Sequence, residues 1–134
     1  ITAGPADAPP ALLLHASGLS SWSWGANVAV LTQQYRVYAI DTIGEANRSV
    51  LDDAMTYPQS GKEYADLYAE IADKLGIEQS VVVGASMGGF IATNYALHYT
   101  ERVERLALLG PMGWTPDTTR VALRIMFVAL FPMR

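Results

Sequence analysis

Gly84, Ser86 and Gly88 form a G-x-S-x-G, with the apolar run Val81-Val82-Val83 in front of it and a helix-like stretch behind it. Small residues two before and two after a serine let the backbone turn tightly without Cβ clashes. Such a turn pushes the hydroxyl out at the carboxyl end of a strand. A helix starting at the turn brings unpaired N–H groups and the positive end of its dipole to the same place. A hydroxyl so placed suits nucleophilic attack on a carbonyl, with the helix amides beside it to stabilise an oxyanion. A serine that merely capped a helix would account for the hydroxyl but not for the small or flexible residues around it. Ser86 is therefore the candidate catalytic residue, and Gly84 and Gly88 are the residues that shape its turn.

The elements that must hold this turn follow from the apolar pattern. Residues 11–16 are a short apolar run of the kind expected for a strand buried on both faces, and the small, polar loop 17–21 follows. Ser20 or Ser21 can cap a helix that places Trp24, Val28 and Leu31 on one face. Residues 35–40 read as a second strand, and residues 41–57, without periodicity, as a loop over the strand ends. Ser60 and Glu63 have capping-box spacing, and the helix they open shows Tyr64, Leu67, Tyr68, Ile71 and Leu75 on one face until Gly76 closes it. After a strand at 80–84, Gly88, Ala92 and Ala96 recur every four residues, a strip that lets a helix lie close against a sheet. Residues 98–102 end that helix, and residues 103–109 are a fourth strand, stopping at Gly110-Pro111. The alternation predicts a three-layer α/β domain, a parallel sheet with helices on both faces.

The chain has 134 residues, 51% of them hydrophobic, and a net charge of −4, enough for one domain with a core. An acidic balance with no block of basic residues argues against nucleic acid or an anionic membrane surface as the main partner. With no cysteine there is no disulfide framework and no thiolate metal site. The two histidines are too far apart in sequence to suggest a zinc site, so neither metal nor cofactor is expected. Residues 121–131 are apolar, but Arg124 interrupts them and they fall short of the roughly 20 residues that span a bilayer. The opening residues lack the basic and apolar regions of a signal peptide, and a cytoplasmic location is expected. No methionine opens the chain and its final apolar pattern has nothing left to pack against, which leads to the expectation of a fragment.

Three stretches together resemble the α/β-hydrolase fold family: Leu12-Leu13-Leu14-His15-Ala16-Ser17-Gly18, Tyr38-Ala39-Ile40-Asp41-Thr42-Ile43-Gly44 and Val83-Gly84-Ala85-Ser86-Met87-Gly88-Gly89. Their order and spacing match as well as their letters. Residues 95–103 also resemble the stretch that leads into the family's sixth strand. The resemblance implies that the four strands are the third to sixth of an eight-stranded sheet, in spatial order four, three, five, six. The order reverses between the strands ending near Ala16 and Gly84, and ligands bind at such reversals in open α/β sheets. Residues 1–111 would then be a partial core and 112–134 the start of a lid. The resemblance further implies an oxyanion hole formed by the backbone N–H groups of Ser17 and Met87. The family usually reads His-Gly where this chain has His15-Ala16. If that position required a positive φ, alanine would be strained by roughly 1 kcal/mol or more. The family's acid and base histidine follow later strands, in segments absent here.

The remaining polar and aromatic residues have plainer readings. His15, at the end of a buried strand, reads as a structural histidine bonded to nearby backbone. His98 lies about 12 residues beyond Ser86, roughly 18 Å along a helix, and suits a cation at a helix C-terminus. Pro116-Asp117-Thr118 reads as a helix start rather than as the acid. Asp41 reads as a residue that fixes its loop by hydrogen bonding, and Asp52 and Asp53 as a solvated loop. Trp22, Trp24 and Trp114 are candidates for an apolar acyl pocket, although helical spacing also fits core. The function implied by the resemblance is hydrolysis of a small-molecule ester-like substrate through an acyl-enzyme on Ser86, in a full-length parent. A serine needs an adjacent base, so this chain alone is expected to be inactive. The alternative is a non-catalytic receptor or binding protein of the same fold.

Overall fold

The structure, a computed structural model, describes residues 1–45, 49 and 56–113. Five strands form one sheet: β1 (Thr2–Ala3), β2 (Pro10–Leu14), β3 (Arg36–Ile40), β4 (Ser80–Ala85) and β5 (Val103–Leu109). Their spatial order is β1-β3-β2-β4-β5. β2 to β5 run parallel, and they stand in the order that the family resemblance implies. β1 pairs antiparallel with β3 at the edge; at two residues it is too short to leave a pattern in the sequence.

Strand alternation sorts the core into two layers. Leu12, Leu14 and Val82 point to one face, where they pack with Tyr68, Ala69 and Ala72 of α2 (Gly61–Lys74) and with Ile91, Ala92 and Tyr95 of α3 (Met87–His98). Leu13, Val37 and Ala39 point to the other, against Trp24 and the partly buried Val28 and Leu31 of α1 (Gly25–Leu31). β2 is buried on both sides, and each of its leucines contributes about 1.5–3 kcal/mol relative to exposure. β5 is the far edge, where Leu106 and Leu109 remain exposed. Among the described residues no helix is long and apolar enough to cross a membrane.

Ser60 caps α2 as expected, but the Glu63 carboxylate reaches back to the amide of the preceding residue rather than to that of Ser60. The Glu63 N–H donates to Ser60 Oγ at 3.2 Å, and Glu63 Oε2 accepts from the Gln59 N–H at 2.8 Å. Two expectations are corrected. The buried stripe of α2 is Ala65, Tyr68, Ala69 and Ala72, while Leu75 is exposed. This helix packs on α3 as well as on the sheet, and alanines permit the closer approach that turns the larger side chains to the flanks. Ser20 stands at the N-cap position of a short 3-10 turn (Ser21–Trp24) preceding α1, yet its side chain makes no capping bond. The Ser23 N–H donates to the Ser20 backbone carbonyl at 2.9 Å, and the Ser21 N–H to Asp41 Oδ1 at 2.7 Å, an acceptor from the loop after β3. Residues 114–134, with Trp114, Asp117 and most of the segment read as a lid, lie outside the described residues, as do Asp52 and Asp53.

Candidate active site

The junction of β4 and α3 is a single residue. Ser86 has φ +51° and ψ −112°, and it is the one non-glycine with positive φ among the described residues. Such a conformation costs of order 1–3 kcal/mol and persists only where the surroundings enforce it. Here the backbone is pinned from both sides. The Ser86 N–H donates to the Leu109 carbonyl at 3.0 Å, and the Ser86 carbonyl accepts from Phe90 at 3.1 Å and Met112 at 2.9 Å.

Sterics do the rest. A Cβ on Gly84 would strike the Gly88 carbonyl and lie 2.8 Å from the Gly89 Cα. A Cβ on Gly88 would strike the Leu14 carbonyl oxygen and come within 2.6 Å of that of His15. The first turn of α3 therefore rests on the end of β2, and the Gly88 N–H donates to the His15 carbonyl at 3.1 Å. The Ser86 hydroxyl takes no part in capping α3.

Beside this turn lies the loop after β2. Ala16 to Leu19 close a β-turn, with the Leu19 N–H on the Ala16 carbonyl at 3.1 Å and Gly18 at φ +76°, the pattern of a type II turn. Ala16 is not in the positive-φ region. The conditional strain at this position does not arise, because Gly18 supplies the left-handed residue two positions later. The backbone N–H groups of Ser17 and Met87 make no hydrogen bond among the described residues. Those of Ser86 and Gly88 are both engaged.

The loop after β3 braces this turn with side chains. Thr42 N–H donates to His15 Nε2 at 2.9 Å, which leaves Nδ1 to carry the proton and donate to the Ala16 carbonyl at 2.8 Å. Thr42 Oγ1 pairs with the Tyr68 hydroxyl at 3.0 Å, and burial pushes that hydroxyl above the ordinary phenol range. Burial alone would raise the Asp41 carboxyl, but hydrogen bonds from the Ser21 amide and hydroxyl outweigh it and hold it below the usual carboxylate range. The Asp41 carbonyl also accepts from Ser49 Oγ at 2.6 Å. Glu45 accepts with both carboxylate oxygens, from Ser17 Oγ and from the Gly18 N–H, each at 2.7 Å.

His15 is thus structural, as expected, with both ring nitrogens engaged. His98 sits exposed at the far end of α3. Neither is placed to serve Ser86 as a base. Glu45 and Thr42 went unmarked in the sequence, and no spacing rule would have found them, since their partners lie 27 or 28 residues away. A largely apolar groove of 270 Å³ opens between Ala16, Leu19, Trp24, Ala85 and Leu109, adjoining both turns. Trp24 lines it as well as closing the core below, whereas Trp22 is 75% exposed. A cavity of 250 Å³ at the amino end of α2 has none of these residues in its lining.

A parallel sheet wound in both directions from β2, with a strained serine turn at the point of reversal, defines a class of α/β protein. The sequence profile of the alpha/beta hydrolase fold matches residues 9–130, and the chain belongs to that family. It is similar to the uncharacterized carboxylesterase nap of Bacillus subtilis, at 40% identity over 83% of this chain and 36% of that protein. It is also similar to carboxylesterase YbfK of the same organism, at 36% identity over 91% of this chain and 42% of that protein. The crystal structure of naproxen esterase (carboxylesterase NP) from B. subtilis superimposes with a TM-score of 0.79 at 36% identity, over 91% of this chain and 43% of that one. The chain therefore spans less than half the length of these relatives, among which carboxylesterases are prominent.

Proposed function

We propose that this chain supplies the nucleophile and the oxyanion-binding turns of an enzyme that hydrolyses small-molecule esters. The observation that carries the reading is the Ser86 backbone, strained at φ +51° while its hydroxyl is left unused by the helix it begins. Strain held at the reversal point of a parallel sheet is a mark of function.

In this reading Ser86 Oγ attacks the ester carbonyl carbon as its proton passes to a base. The carbonyl oxygen becomes an oxyanion that accepts from the Ser17 and Met87 N–H groups. Collapse of the tetrahedral species expels the alcohol, and water then cleaves the acyl-enzyme. Neither histidine is placed to serve as that base, so the described residues by themselves are expected not to turn over an ester. The apolar groove beside both turns favours substrates with an apolar acyl or alcohol group, and residues 112–134 are read, by likeness to the family, as the start of a lid.

A fluorophosphonate probe, applied to the polypeptide that carries this sequence at its natural full length, tests the proposal. Stoichiometric modification at Ser86 is expected, together with turnover of a p-nitrophenyl ester that falls at least about 10⁴-fold in Ser86→Ala. Turnover that survives Ser86→Ala would overturn it. Tight binding of a small molecule without labelling or turnover would favour the non-catalytic alternative.

A further inference from the structure

The turn that carries the Ser17 N–H has little to hold it. Ser17, Gly18 and Leu19 are all exposed, and a Cβ built on Gly18 would meet nothing within 4 Å. Yet three of the turn's four donors, the Ser17 hydroxyl and the Gly18 and Leu19 N–H groups, are engaged. The Ala16 carbonyl accepts from His15 Nδ1 and from the Leu19 N–H. Because a trans peptide is planar, pinning that carbonyl sends the Ser17 N–H of the same peptide in the opposite direction. The far side of the turn is held by one residue, Glu45, whose two carboxylate oxygens take the Ser17 hydroxyl and the Gly18 N–H. Charge-assisted bonds of this length are about twice as strong as neutral ones.

Glu45 is itself aimed by local geometry. Its N–H donates to the Thr42 carbonyl at 3.3 Å across a turn whose third residue, Gly44, sits at φ +84°. Thr42 is in turn bonded to His15. The clamp and the clamped turn are thereby referenced to the adjoining ends of β2 and β3.

We propose that Glu45 is a positioning residue for the oxyanion hole, holding Ser17 and Gly18 so that the Ser17 N–H meets the reacting oxygen; this rests on ester hydrolysis at Ser86. Glu45 touches no reacting atom. Its contribution is to keep a transition-state donor in place, where a displacement of about 1 Å can cost on the order of 100-fold in rate.

The test compares wild type, Glu45→Ala and Glu45→Gln in the full-length polypeptide, with rates of p-nitrophenyl butyrate hydrolysis divided by sites titrated to completion with fluorophosphonate. Glu45→Ala is expected to lower kcat per titrated site by about 10- to 100-fold with KM within about twofold, since the hole acts on the transition state. Its affinity for a trifluoromethyl ketone, which mimics the tetrahedral oxyanion, should fall by a similar factor. Glu45→Gln keeps an acceptor for Gly18 and a donor for Ser17 Oγ, and should restore most of the loss. A per-site kcat within twofold of wild type in Glu45→Ala would overturn the proposal, even where melting shows lost stability. Equal impairment in Glu45→Gln would overturn the hydrogen-bonded clamp in favour of a charge effect. A wild-type protein without turnover would instead remove the ester-hydrolase reading, and this proposal with it.

Discussion

Two turns meet where β2 and β4 end, and they are held in opposite ways. The Ser86 turn is held by backbone. Its glycines admit no Cβ because carbonyls fill the space, and its own N–H and carbonyl are bonded to Leu109, Phe90 and Met112. The Ser17 turn is held largely by side chains 20 to 28 residues away, Asp41 and Glu45 reaching back to Ser21, Ser17 and Gly18. A backbone cage cannot be altered without disturbing the fold, whereas a side-chain clamp is open to single substitutions. The difference places the rigid part of the site at the proposed nucleophile and the adjustable part at the proposed oxyanion donor.

The sharpest way to break this comparison is to put a side chain into the cage. Gly88→Ala drives a Cβ into the Leu14 and His15 carbonyls, and backbone cannot swing aside as a long side chain would. A loss of about 3 kcal/mol is expected, read as a shifted midpoint in a urea melt of the full-length polypeptide. If the variant keeps wild-type stability, the turn is not caged by contact at all.

The same division explains what could be read in advance. The elbow is local: five residues, two of them glycine, announce both the turn and the hydroxyl at its apex, and the strands around it declare themselves by short apolar runs. The strand order came only through likeness to a family, since four parallel strands can be wound in several orders. Gly18 was invisible as the left-handed residue of its turn because the chain offers several glycines and a turn selects one by its closing bond. Glu45 and Thr42 act across space on another loop, and nothing in their neighbours' identities marks them. The stripe of α2 shifted to Ala65, Ala69 and Ala72 for a related reason: which face is buried depends on α3, a helix not yet formed when periodicity alone is counted.

Asp41 tests the borrowed support on the Ser17 side. Asp41→Ala leaves the Ser21 N–H without its carboxylate, and a charged hydrogen bond of this kind contributes about 1.5–3 kcal/mol. A depressed folded-state pKa means that the stabilisation is present above the unfolded carboxyl value, about pH 4, and fades as pH falls through the lower folded value. The stability difference between wild type and Asp41→Ala should therefore be full at pH 7 and shrink as the pH is taken below about 4. A difference that is unchanged, or larger, in acid would mean that the carboxylate is not what holds the loop.

The smallest effect separates local from borrowed support at two helix starts of similar appearance. Ser60 and Ser20 both precede a helix, and by sequence both are good caps. Ser60 accepts from the Glu63 N–H, whereas the Ser20 side chain makes no capping bond: the Ser23 N–H donates to the Ser20 backbone carbonyl, and Asp41 takes the Ser21 N–H. Ser60→Ala should cost about 1 kcal/mol, and Ser20→Ala should stay within about 0.5 kcal/mol of wild type, as surface changes away from such features do. A cost of Ser20→Ala as large as that of Ser60→Ala would mean that the Ser20 hydroxyl supports its helix start after all.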